Sequence, residues 1–204
     1  MAGRVDPVLV TEYGDLALWS TTVRVAGAAG AATRALLAHL SNSYRGADVV
    51  RMRGRTAAHE SFRSFARQVG LDPDRSPSRV DAAAREAVVD GRLRSTGPVP
   101  DALLAVAVQS GVPVWALDAR RVAGELSLRL ARGGERRARR DPVPTHGTIL
   151  VADDDGPLAP LLGDPLPSVD GTRARTVVLY AVGVPGLPVW DASEAVWSAA
   201  RALT

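Results

Sequence analysis

The sequence predicts an α+β fold in which layered, mostly antiparallel sheets carry flanking helices. Three observations lead there. Residues 125–131 alternate, with Leu126, Leu128 and Leu130 on one side and Glu125, Ser127 and Arg129 on the other, the period of a strand with one buried face. Residues 57–69 place Phe62, Phe65, Ala66 and Val69 at helical spacing. Residues 100–135 run through a helix, a glycine stop, a short apolar strand, a turn and the alternating strand, so the two periods follow each other closely.

In chain order, residues 16–25 (LALWSTTVRV) alternate loosely and read as a first strand, and Gly27 to Gly30 breaks the chain before an Ala-rich helix over 31–40. The amphipathic helix 57–69 stops at Gly70, and Pro73 prevents its continuation. A further helix starts at residues 76–78, with Val80, Ala83, Ala84, Ala87 and Val88 inward, and closes at Gly91. Asp101 is expected to cap the next helix and Gly111 to end it. Residues 112–117 follow as a strand opened by Pro113. Beyond a polar loop, 148–152 is a strand, Asp153-Asp154-Asp155-Gly156 a turn, and Pro157 the opening of a Pro-rich loop through 170. Residues 176–182 form a last strand, and Asp191 or Ser193 caps a C-terminal helix bearing Val196, Trp197, Ala200 and Leu203. One domain over 1–204 is expected, with 1–54 as a less regular N-terminal subdomain.

The composition narrows the chemistry. All 25 basic residues are arginine, so catalytic lysine chemistry is excluded, and zero cysteines exclude thiolates and disulfides. Arginine suits bidentate phosphate contacts, although a GC-rich coding bias produces the same preference. No uncharged apolar stretch approaches about 20 residues and the N-terminus lacks an apolar leader, so a cytoplasmic protein with no membrane partner is expected. His39, His59 and His146 are too dispersed for a metal site, no Gly-x-Ser-x-Gly elbow occurs, and neither metal nor cofactor is expected.

The order of elements over 100–135, together with SFRSFARQVGLDPDRSPSRVDAAAREAVVDG and VADDDGPLAPLLGD, resembles the editing domain of the bacterial phenylalanyl-tRNA synthetase β subunit and the free-standing proteins built from it. The resemblance covers roughly 55–183. It implies binding of the aminoacylated 3′ end of tRNA and hydrolysis of a wrongly attached amino acid. From Asp101 to Asp118 the match is ungapped, with Gly111, Pro113, Ala116 and Asp118 fitting the family pattern. The family's polar Thr, Asn and His positions fall on Leu103, Leu104 and Trp115, of which only Trp115 keeps a donor. Ala159 retains a small cavity residue, Pro160 replaces a glycine, and the Glu that reads a tyrosine phenol falls near Tyr180. These departures argue against tyrosine proofreading through the synthetase's contacts.

The implied pocket residues are therefore Leu103, Leu104, Trp115, Ala159, Pro160 and Tyr180. Family placement makes Asp101, Asp118 and Asp154 the candidate general bases, against their alternative roles as a helix cap, a strand-end residue and a turn residue. Arg132, Arg136, Arg137, Arg139 and Arg140 crowd one loop and could track a phosphate backbone. The leading expectation is a trans-acting aminoacyl-tRNA deacylase. A non-catalytic tRNA-binding module and a pocket protein for a small molecule such as an amino acid stand beside it.

Overall fold

A computed structural model of the chain describes residues 1–43, 57–75 and 77–204. Its centre is the strand β7 (Thr176–Gly183), buried at every position but the first. A run of Val, Leu, Tyr and Ala with no charge suits a strand covered on both faces. The strands β2 (Ala17–Arg24) and β3 (Trp115–Asp118) flank it antiparallel, in the order β2-β7-β3.

The second sheet has four strands. It joins β1 (Arg4–Val5), β4 (Ser127–Leu130), β5 (Ile149–Asp153) and β6 (Gly156–Pro160) in that order, with β1 parallel to β4 and the other pairs antiparallel. The expected α+β class of layered, mostly antiparallel sheets is what the molecule has. The first 43 residues supply one strand to each sheet, β1 and β2, with the helix α1 (Pro7–Tyr13) between them. Residues 44–54 of the expected N-terminal subdomain lie outside the described residues.

The remaining helices are α2 (Ala29–Ser43), α3 (Ala57–Gln68), α4 (Arg79–Asp90), α5 (Pro98–Ser110) and α6 (Asp191–Leu203). Helix α6 packs on β2 and β7 and against α5, which in turn contacts α2 and α4. Helix α4 begins at the expected cap, where Ser78 Oγ accepts the Asp81 N–H, and ends at Gly91 in the left-handed conformation. Gly111 likewise ends α5, with φ 75° and its N–H donated to Ala107 O. The side chains of Val80, Ala84, Ala87 and Val88 lie outside the described residues.

Three local expectations are corrected. Helix α5 starts earlier than predicted, with Gly97 at the cap and Pro98 in its first turn; Asp101 lies one turn inside and reaches back to the Thr96 and Gly97 N–H groups. Proline is favoured in a first turn because its missing N–H has no helical partner there. Pro157 and Leu158 do not open a loop but belong to β6, which forms a hairpin with β5. Its position at the sheet's edge tolerates proline. Neither Asp191 nor Ser193 caps α6: Trp190 occupies the cap without a side-chain bond, and Ser193 Oγ donates to its carbonyl.

One core unites both sheets with α3, α5 and α6, and a smaller one fills the space among α2, α4 and α5. The outer edge of β3 is covered rather than open. The Asp118 N–H donates to Val169 O and the Gly171 N–H to Ala116 O, so the 169–171 segment runs along it. A Cβ at Gly171 would stand 2.5 Å from the Leu117 carbonyl carbon, so only glycine permits this approach. Among the described residues, no helix is long and apolar enough to cross a membrane.

Candidate functional site

A cavity of about 240 Å³ opens where α3, the start of α4, the start of β3 and the chain just after β6 converge. Helix α3 contributes Phe62, Arg63 and Ala66; the next turn contributes Leu71 and Pro73; α4 and its cap contribute Asp81 and Ser78. Pro113, Trp115 and residues 160–163 complete the wall. Most of this lining is apolar, with a few polar groups on one side, the usual composition of a small-ligand site.

The polar side is built by helical spacing. His59, Phe62, Arg63 and Ala66 share one face of α3, which faces the first turn of α4. His59 Nε2 lies 3.1 Å from Asp81 Oδ1, and both side chains are buried. Ser78 Oγ donates to Asp81 Oδ2 at 3.0 Å. Asp81 sits in the first turn of α4, where the helix dipole favours a carboxylate. The Arg63 guanidinium stands 3.7 Å from Asp81 but donates to Asp74 at 2.7 Å. That bond is the main cause holding the Arg63 pKa above and the Asp74 pKa below their ordinary values.

Trp115 forms the floor and is only 2% exposed. Its indole stacks on Tyr180, its direct cross-strand partner on β7. The Trp115 Nε1–H is buried without a hydrogen-bond acceptor among the described residues. On the opposite rim Leu162 adopts φ 58°, a left-handed conformation that costs a branched side chain about 1–2 kcal/mol. Strain of this kind collects at functional sites.

Of the implied pocket residues, Trp115 and Pro160 line this cavity and Tyr180 supports it from behind. Leu103, Leu104 and Ala159 do not line it. Leu103 is buried in the main core and Leu104 packs against the smaller one, because α5 is enclosed by other elements on more than one side, while Ala159 is buried in the main core from β6, where it pairs with Val151 on β5. Sequence reasoning passed over Arg63, Ser78 and Asp81. The available signal was the 3.6-residue spacing that puts His59 and Arg63 on the apolar side of α3, together with the Ser78–Asp81 capping pair.

The three candidate bases lie elsewhere and have structural partners. Asp101 accepts from Ser95 Oγ and from the Thr96 and Gly97 N–H groups. Asp118 caps the turn 119–121, and the Arg120 hydrogen bond holds its carboxyl below the usual range, which weakens it as a base. Asp154 is exposed and pairs with Arg4.

The arginine loop divides in two. Arg132, Arg136, Arg139 and Arg140 are exposed, and the first two line a cleft of about 650 Å³ with Arg4, Arg129 and the acidic 153–155 turn. Arg137 instead turns inward. Its Nη1 donates to the fully buried Asp153 at 2.5 Å and its Nη2 to Arg121 O. Asp153 also accepts the Ala123, Asp155 and Gly156 N–H groups, so this pair ties the loop to the β5–β6 turn. That corrects the assignment of Arg137 to a phosphate-tracking surface, since its guanidinium is committed inside the protein. Among the described residues no group of His, Asp and Glu side chains is arranged to hold a metal ion. Neither a family model nor a curated protein matches the chain.

Proposed function

We propose that this protein binds the aminoacylated 3′ end of tRNA and hydrolyses its ester in trans, in the cytoplasm. One observation carries the reading. The three stretches that resemble the editing domain meet at a single cavity: helices α3 and α4 from the first, Pro113 and Trp115 from the second, and Pro160 to Gly163 from the third.

The chemistry asked of the site is modest. An aminoacyl ester is already activated, so a held water that attacks the carbonyl releases a free amino acid and restores the ribose hydroxyl. No covalent nucleophile is needed; positioning and hydrogen-bond donors for the oxyanion suffice. Arg63, with five N–H groups, is a polar donor on the wall, and the exposed Arg132, Arg136, Arg139 and Arg140 offer a surface for the phosphates beyond the terminal nucleotide. Deacylation measured across a panel of aminoacyl-tRNAs tests the proposal. Release of amino acid faster than buffer for at least one ester supports it, and background rates throughout reject hydrolysis.

A second reading, a tRNA-binding module without catalysis, is favoured by the structural engagement of Asp101, Asp118 and Asp154. It predicts salt-sensitive tRNA affinity with no turnover.

A further inference from the structure

We propose that the outer face of helix α6 is a self-association surface, packing antiparallel against α6 of a second copy of this chain across a two-fold axis. The dimer is independent of the hydrolysis proposed above. Of the four tryptophans, Trp190 and Trp197 are 68% and 58% exposed, although a side chain of this size is highly buried on average. Trp190 caps α6 and Trp197 lies seven residues on, so two helical turns bring both to one face. Val189, also exposed, extends the patch at its start. The opposite face, with Ala192, Ala195, Val196, Ala199 and Leu203, is already buried in the main core, to which neither indole belongs.

Charge along the same face says what covers it. Glu194 falls between the two indoles and Arg201 one turn beyond Trp197, completing a stripe at positions 190, 194, 197, 201 and 204. Both charged side chains are exposed, and neither makes an ion pair among the described residues; Arg201 donates to Ser198 Oγ. Seven residues separate them by about 10 Å along the axis, so helical spacing does not bring them together. The stripe is its own complement about Trp197. Against a second, antiparallel α6, Trp197 meets Trp197, Glu194 meets Arg201, and Trp190 covers the end at Thr204. A two-fold contact makes each unlike pairing twice. A parallel arrangement would instead set Glu194 against Glu194. Nucleic acid fits this face poorly, because Asp191 and Glu194 in the first turn put negative charge beside the indoles, where phosphates would run. The exposed parts of four indoles supply roughly 400–600 Å², short of the roughly 1,200–2,000 Å² of a standard interface. The dimer is therefore a weak one, in exchange with the monomer.

Sedimentation velocity of the full chain over about a hundredfold range of concentration reads this equilibrium. The apparent mass is expected to rise from that of one chain toward twice that value. Trp197→Glu should weaken association at least about tenfold. Circular dichroism checks that each variant folds, as the exposure of these positions leads us to expect. Glu194→Arg alone and Arg201→Glu alone should each associate at least about tenfold more weakly, because each sets like charges together twice. An equimolar mixture of these two variants restores both unlike pairs in the mixed dimer and should associate as the parent does. One chain's mass at every concentration, parent-like association of Trp197→Glu, or a mixture no tighter than either variant alone overturns the proposal. So does a monomer whose tryptophan fluorescence is quenched saturably by oligouridylate, with the quenching lost in Trp197→Glu, which would assign the face to single-stranded RNA.

Discussion

The indole of Trp115 and the ring of Tyr180 lie 5.4 Å apart between centroids and 17° from parallel, stacked across the β3–β7 pair. Because the two residues are in direct register, the stack is set by the sheet itself. It fixes the floor of the cavity from a buried strand rather than from a loop. A double-mutant cycle of Trp115→Leu and Tyr180→Leu should show a coupling of about 0.5–1.5 kcal/mol in denaturant unfolding. Strict additivity would show that the stack contributes nothing beyond burial.

Asp153 and Arg137 form a buried ion pair that closes the β5–β6 turn against the arginine loop. Asp153→Ala leaves a buried guanidinium and several backbone donors without their acceptor. A loss of about 3–5 kcal/mol is expected from chemical denaturation. Arg137→Ala should destabilise comparably while leaving RNA affinity little changed, unlike its exposed neighbours.

Replacing Arg132, Arg136, Arg139 and Arg140 with alanine should weaken tRNA binding and flatten its salt dependence. Each lost phosphate contact lowers the slope of log affinity against log salt by about 0.7–0.9. Filter binding at several salt concentrations reads the slope. An unchanged slope would remove this loop from the RNA surface.

Arg129 and Glu135 make a bidentate pair at 2.9 and 2.7 Å, and the Arg132 N–H adds a third bond to the carboxylate. The Arg129 hydrogen bond chiefly lowers the Glu135 pKa, overcoming its partial desolvation. A carboxyl with a lowered folded-state value stabilises fully above its unfolded value of about 4.3 and loses that contribution as pH falls through the folded one. Glu135→Gln should therefore reduce stability at pH 7 and narrow its gap to the parent protein in acid. Unfolding midpoints measured between pH 7 and pH 3 check the sign.

The strand and helix order was legible wherever local periodicity and glycine stops coincide, as in residues 57–70, 78–91 and 176–183. The first residues were not. The β1 strand has two residues and exists only because it pairs with β4, so no local pattern announces it. Pro157 to Pro160 reads as loop by composition and becomes a strand because β5 offers it a ladder and the edge position tolerates proline.

By itself the sequence determined the α+β class, the main helix ends and the arginine-only basic surface, because these follow from short-range periodicity, backbone preference and composition. Only the tertiary structure decided that Trp115 and Pro160 share a wall with Arg63, Ser78 and Asp81 while Leu103, Leu104 and Ala159 pack away from it. It also decided that Arg137 turns inward while its neighbours face water. The physical reason is that which side chains converge, and which charges are desolvated, depends on how distant segments pack, and spacing along the chain carries no record of that.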